Sequence, residues 1–147
     1  MDELRERYKS TTLRILGSFQ TLEFCLKLYI GLTYRVISHC VGGKIHFGYS
    51  ARDIETSSLG RLLGIFSKLN ANDDLIKRLN KLREDRNHIA HKSLLIAMGS
   101  NYDIGALKEA DEDFFYLEDE VAECLSLTIK ETKNVRELLN VLRRNQK

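Results

Sequence analysis

Residues 4–40 read LRERYKSTTLRILGSFQTLEFCLKLYIGLTYRVISHC. Within them Leu4, Tyr8, Ile15, Phe19, Leu22, Leu26, Tyr29, Val36 and Cys40 recur in steps close to three and four, the spacing that lines up one face of an α-helix. The spacing predicts one long amphipathic helix from the N-terminus to about residue 40, ended by Gly42-Gly43, where a left-handed backbone costs nothing. A helix of that length commits much of the chain to helical packing. Nothing downstream argues otherwise, because the chain has no proline.

Residues 41–56 hold three glycines and no clear period, so they are expected to form a loop with room for a short helical turn. Thr56, Ser57 and Ser58 offer N-caps for a short helix carrying Leu59, Leu62, Leu63, Phe66 and Leu69 and stopping near Asn70. Asn72 or Asp73 can cap a third helix, whose stripe is Leu75, Leu79, Leu82, Ile89 and Ser93. Residues 98–112, with Gly99, Ser100, Asn101 and Gly105, read as a second loop. The acidic run after it would then suit the positive end of a last helix carrying Phe114, Leu117, Val121, Leu125, Thr128, Val135, Leu139 and Leu142. The expected fold is an all-α four- to five-helix bundle, two long terminal helices bracketing shorter ones, in one domain spanning residues 1–147.

Composition narrows the function classes. At 43% hydrophobic and 30% charged residues, the chain has the make-up of a folded globular protein. Its longest apolar stretches are broken by Lys27, Arg35 or Arg61, so no transmembrane helix is expected. The opening Met-Asp-Glu-Leu-Arg-Glu-Arg lacks the order of a secretory signal, and a cytoplasmic protein is expected. Cys25, Cys40 and Cys124 are odd in number and far apart, which favours small buried hydrophobes over disulfides or zinc ligands.

The net charge of +2 hides an uneven distribution. Lys77, Arg78, Lys81, Arg83, Arg86 and Lys92 crowd one segment, and Glu109, Asp111, Glu112, Asp113, Glu118, Asp119, Glu120 and Glu123 crowd the next. The first would suit an anionic ligand and the second a basic partner, unless the acidic run is a solvated helix face.

The segment Arg86-Asn87-His88-Ile89-Ala90-His91 carries the chemistry. Arg86 falls inside the apolar stripe of its helix, where a guanidinium must be paired or face a wet cleft. His91 lies five residues on, rotated by roughly 140° in a regular helix, whereas Asn87 and His91 share a face. A twofold dimer would bring two copies of Arg86 and His91 around one cleft. Two metal-ligand sets compete: Glu84, His88 and His91 at i, i+4 and i+7, and the incomplete set His39, Cys40 and His46. Neither repeats the Glu-x-x-His pairs of a di-iron bundle, and no metal or cofactor is expected.

Arg, a polar Asn, three residues and then His, near the end of a helix in a short bundle, resembles the HEPN superfamily, whose hallmark is Arg followed four to six residues later by His. The match is carried by Arg86, Asn87 and His91. The resemblance implies RNA cleavage without metal by a homodimer, often as the toxin of a toxin–antitoxin pair or in antiviral defence, and hence a cognate antitoxin protein as partner. In one subgroup a Tyr two residues after the His is modified by the antitoxin; Ser93 stands there in this chain.

The chemistry fits those roles. Cleavage through the RNA's own 2′-hydroxyl needs a group that moves a proton near neutral pH, which His91 would supply. Arg86 would steady the extra negative charge of the phosphorane, and Asn87 would orient the phosphate or His91. Lys81, Arg83 and Lys92 would hold flanking RNA backbone through salt-sensitive contacts. The competing expectation is a noncatalytic helical interaction module in which the same polar residues staple the helix end or an interface.

Overall fold

The computed structural model describes residues 2–98 and 104–146, and the side chains of residues 3–87 and 114–146. Among the described residues all regular structure is helical. Helix α1 spans Asp2–Val41, α2 Leu59–Leu69, α3 Asp73–Met98 and α4 Ile104–Asn145, with a 3-10 turn at Ala51–Ile54. The all-α bundle with two long terminal helices is therefore observed.

The helix ends follow from local chemistry. α1 stops where Gly42 and Gly43 take positive φ (50° and 77°), as expected from the glycine pair. Ser58 Oγ accepts the Arg61 backbone N–H and opens α2, and the Asn70 N–H donates to the Phe66 carbonyl at its close. Asn72 Oδ1 accepts the Leu75 N–H and starts α3. In the loop, Asp53 accepts the Ser50 N–H at 2.7 Å and closes the 3-10 turn.

The beginning of α4 departs from expectation. Residues 104–112, read from sequence as loop, are helical. Ala106, Leu107, Lys108, Glu109 and Ala110 are strong helix formers, and Gly105 alone does not outweigh them. The first turn of α4 consequently holds no acid, and the acidic run lies along the helix instead of at its positive end.

One core joins α1, α2, α3, α4 and the 3-10 turn. It is built on Ile15, Phe19, Leu22 and Leu26 of α1, Leu62 and Phe66 of α2, Leu79 and Leu82 of α3, and Phe114 and Val121 of α4. Tyr8 stacks on Phe114 with ring centroids 4.9 Å apart, Arg14 pairs with Glu118 at 3.1 Å, and Leu32 and Val36 pack on Leu139. These contacts ascend both helices together, so the terminal helices run parallel. α3 runs back along α4: Asn72 meets Glu131 at its start and Arg78 meets Glu120 further on. A polar staple fixes that start, with Asn70 donating to both Tyr29 Oη (3.0 Å) and Glu131 (3.1 Å).

One sequence expectation, that of buried cysteines, needs correcting, and α1 bears on a second. An 18-residue window of α1 is apolar enough by length and composition to cross a membrane, because single charges dilute its hydropathy without abolishing it; half of that window is buried inside the bundle. Of the cysteines, Cys124 is buried, Cys25 is partly buried and Cys40 is exposed, since the apolar face of α1 has left the core by residue 40. All three are free thiols.

Candidate functional site

α3 is continuous from Asp73 to Met98, so Arg86, Asn87 and His91 stand on one helix. Asn87 and His91 share a face about 6 Å apart along the axis. The side chains of His88, His91 and Lys92 lie outside the described residues.

Arg86 explains its place on the apolar stripe by its partner. Its guanidinium Nη2 stands 3.7 Å from Oε1 of Glu23 on α1, with 39% of the Arg86 side chain and 22% of the Glu23 side chain exposed. At that distance the two charges attract without a direct hydrogen bond. Among the described residues Glu23 is the one carboxylate paired with this guanidinium, and with 39% of its side chain exposed an anion could reach it. Glu23 was missed in the sequence because it lies 63 residues upstream on another helix, and no local spacing signals such a pair.

The flanking cations turn to different neighbours. Lys81 is exposed, and its charge, after that of Arg78, helps hold Glu120 ionised. Arg83 is exposed and lays its guanidinium over Gly60 of α2, so close that a Cβ there would fall 2.6 Å from Arg83 Cζ. Lys81 and Arg83 thus do not form one phosphate track with Arg86 within a single chain. Arg83, about 60° around the helix from Arg86, is the nearer of the two; Lys81 is about 140° away.

Much of the charge asymmetry is satisfied internally. Arg78 grips Glu120 with two hydrogen bonds, Nε to Oε1 at 2.7 Å and Nη2 to Oε2 at 3.0 Å, and reaches Glu123 at 3.1 Å. The Arg78 guanidinium is the main reason the Glu120 carboxyl sits below its usual range. Behind it, burial pushes the Cys124 thiol up to about 12, aided by its hydrogen bond to Glu120 at 3.3 Å. Cys124 is thereby a neutral donor, not a nucleophile. Glu118 is likewise paired with Arg14, so the acidic run owes part of its pattern to the bundle's own cations.

No group of three or more His, Cys, Asp or Glu side chains gathers to hold a metal among the described residues. Sequence reading also passed over a second cluster, in which residues 46–52 fold back on α1 and bring Phe47 and Tyr49 against Tyr34. Its signal was the aromatic and basic interleaving of Lys44-Ile45-His46-Phe47-Gly48-Tyr49-Ser50-Ala51-Arg52.

No protein-family model, curated protein or solved structure matches the chain.

Proposed function

We propose that this chain is a metal-independent endoribonuclease whose active unit is a homodimer with a composite site around Arg86, Asn87 and His91. The observation that carries the reading is Arg86 itself: an arginine on a helix's apolar stripe, partly exposed and, among the described residues, paired only with a carboxylate 3.7 Å away. An arginine serving structure alone is better satisfied, as Arg78 is by Glu120 and Glu123.

In the reaction the 2′-oxygen attacks the adjacent phosphorus while His91 takes the hydroxyl proton. The 2′-O–P bond forms and the P–O5′ bond breaks, and the departing 5′-oxygen accepts a proton from a second imidazole, His91 of the other copy. Arg86 neutralises the charge that builds on the phosphorane oxygens. The products are a 2′,3′-cyclic phosphate and a 5′-hydroxyl, and no redox or metal step is needed.

Dimerisation is supported by α1. Leu13 and Phe24 are 70% and 66% exposed, and eleven residues of helix return them to within about 20° of one face. Two exposed apolar side chains on one face of α1 suit contact with a second copy. A nuclease of cellular RNA also calls for restraint in the cytoplasm where it acts, so a cognate antitoxin protein belongs to the proposal.

The second reading, a noncatalytic interaction module, draws on the same ion pair, which ties α3 to α1 whether or not RNA is cleaved. Incubating the purified protein and its Arg86→Ala and His91→Ala variants with mixed cellular RNA in EDTA separates the two. The nuclease reading expects cleavage by the wild type alone; intact RNA from a folded, dimeric wild type favours the module.

A further inference from the structure

The face of α1 that carries Glu23 continues toward its C-terminus into a groove of about 670 Å³, walled by α1 on one side and residues 46–52 on the other. Gly31 allows this wall to sit close, since a Cβ there would meet Ala51 Cβ at 3.2 Å. Three aromatic rings converge in it. Tyr34, Phe47 and Tyr49 form a triangle with centroid separations of 5.7, 5.8 and 5.7 Å. Tyr34 is buried at the base, Phe47 is half-buried, and Tyr49 is 64% exposed, presenting a ring to solvent on a rigidly backed platform.

The charges that line the groove are of one sign, with the Asp53 carboxylate just behind them on the Ser50 N–H and near enough to act on Tyr34. Lys27, Arg35 and Arg52 line it and no Asp or Glu does. Lys27 gives one proton to the Glu55 carbonyl at 2.8 Å and keeps two. None of the ion pairs among the described residues engages Arg35 or Arg52. An open aromatic face ringed by unneutralised cations fits a ligand that alternates flat π-surfaces with negative charges, which is single-stranded nucleic acid. An acidic peptide would leave the rings uncovered.

We infer that this groove is a binding site for single-stranded RNA, holding nucleotides that flank the scissile one, with a base stacked on Tyr49 and phosphates on Arg35 and Arg52. The flanking role rests on the nuclease reading above; the binding site does not. Helix geometry links the two places. Lys27 follows Glu23 by one turn on the same face, and Tyr34 lies within about 20° of Glu23 and roughly 16 Å further along the axis. A strand of a few nucleotides leaving Arg86 along α1 would reach the rings.

The test is fluorescence anisotropy with a labelled 2′-O-methyl oligouridylate twelve nucleotides long, which lacks the nucleophile and so reports binding without cleavage. Tyr49→Ser should weaken binding by roughly tenfold, the loss typical of one stacked base, and Tyr49→Phe should restore it. Arg35→Gln with Arg52→Gln should flatten the logarithmic salt dependence by about 1.4, or about 0.7 per phosphate contact on a single strand. These positions are exposed, and circular dichroism checks that the variants fold. Unchanged binding by the Tyr49 and arginine variants overturns the inference, as does no binding by the wild type or equal competition by polyglutamate. Groove-dependent binding by a protein that never cleaves RNA sinks the nuclease reading alone. Cleavage by the wild type with unaltered binding in the groove variants sinks the groove alone.

Discussion

Arg86 shows how a single residue can be misplaced by one rule and explained by another. Leucines at 75, 79 and 82 mark the stripe it interrupts, and those three are buried while Arg86 is not. That mismatch was legible in the sequence, because an arginine in an apolar period demands a partner or a cleft. Which partner it has was not legible, since Glu23 is brought near only by the packing of α1 on α3. Half-exposed ion pairs contribute little to stability, about 0–1 kcal/mol. Arg86→Ala should therefore shift the thermal midpoint by no more than about 4 °C, while cutting cleavage by about 100-fold or more, the scale set by losing one charge-stabilising donor. Differential scanning calorimetry beside an RNA cleavage assay reads both. A large destabilisation with cleavage intact would mean that Arg86 serves the fold.

At the scale of elements, the periodic helices and their caps were readable: Ser58, Asn70, Asn72 and the glycine pair at 42–43 each end or start a helix by local hydrogen bonding or backbone freedom. The start of α4 was not. Loop-forming residues at 99–105 led the reading past the helix formers that follow them, and α4 begins at Ile104. The same competition yields a prediction in α2. Gly64 is an exposed helical glycine with nothing within 4 Å of where a Cβ would sit. Gly64→Ala should stabilise the protein by about 0.4–1 kcal/mol by restricting the unfolded chain, visible as a higher denaturation midpoint in urea at unchanged slope. A lower midpoint would show that the added methyl is unfavourable in the folded helix despite the open space around it.

For the whole molecule, pairing between helices replaces much of what the sequence offered as surface charge. The basic α3 and acidic α4 meet through Arg78, Glu120 and Glu123, a match invisible until α3 folds back along α4. Under this pair Cys124 is fully buried with its thiol raised from about 9 to about 12. Its folded value lies above the unfolded one, so its contribution is complete below about pH 9 and is lost as pH rises toward 12, where unfolding releases the proton. Stability should fall in that window by up to about 1.4 kcal/mol per pH unit from this group, and Cys124→Ala should remove that part of the slope. Chemical denaturation at several alkaline pH values measures it; identical slopes in both proteins would place the loss elsewhere.

The bundle sets Arg86, Asn87 and His91 on one uninterrupted helix, with Arg86 beside Glu23, and we propose that this helix cleaves RNA without metal. The measurement that bears on it most directly is the chemistry of the RNA ends left by the wild-type protein in EDTA, with His91→Ala run alongside. The wild type should leave 2′,3′-cyclic phosphate and 5′-hydroxyl ends, and the variant none. Ends bearing 5′-phosphate, equal cleavage by His91→Ala, or RNA left intact by a folded wild-type dimer would contradict the proposal.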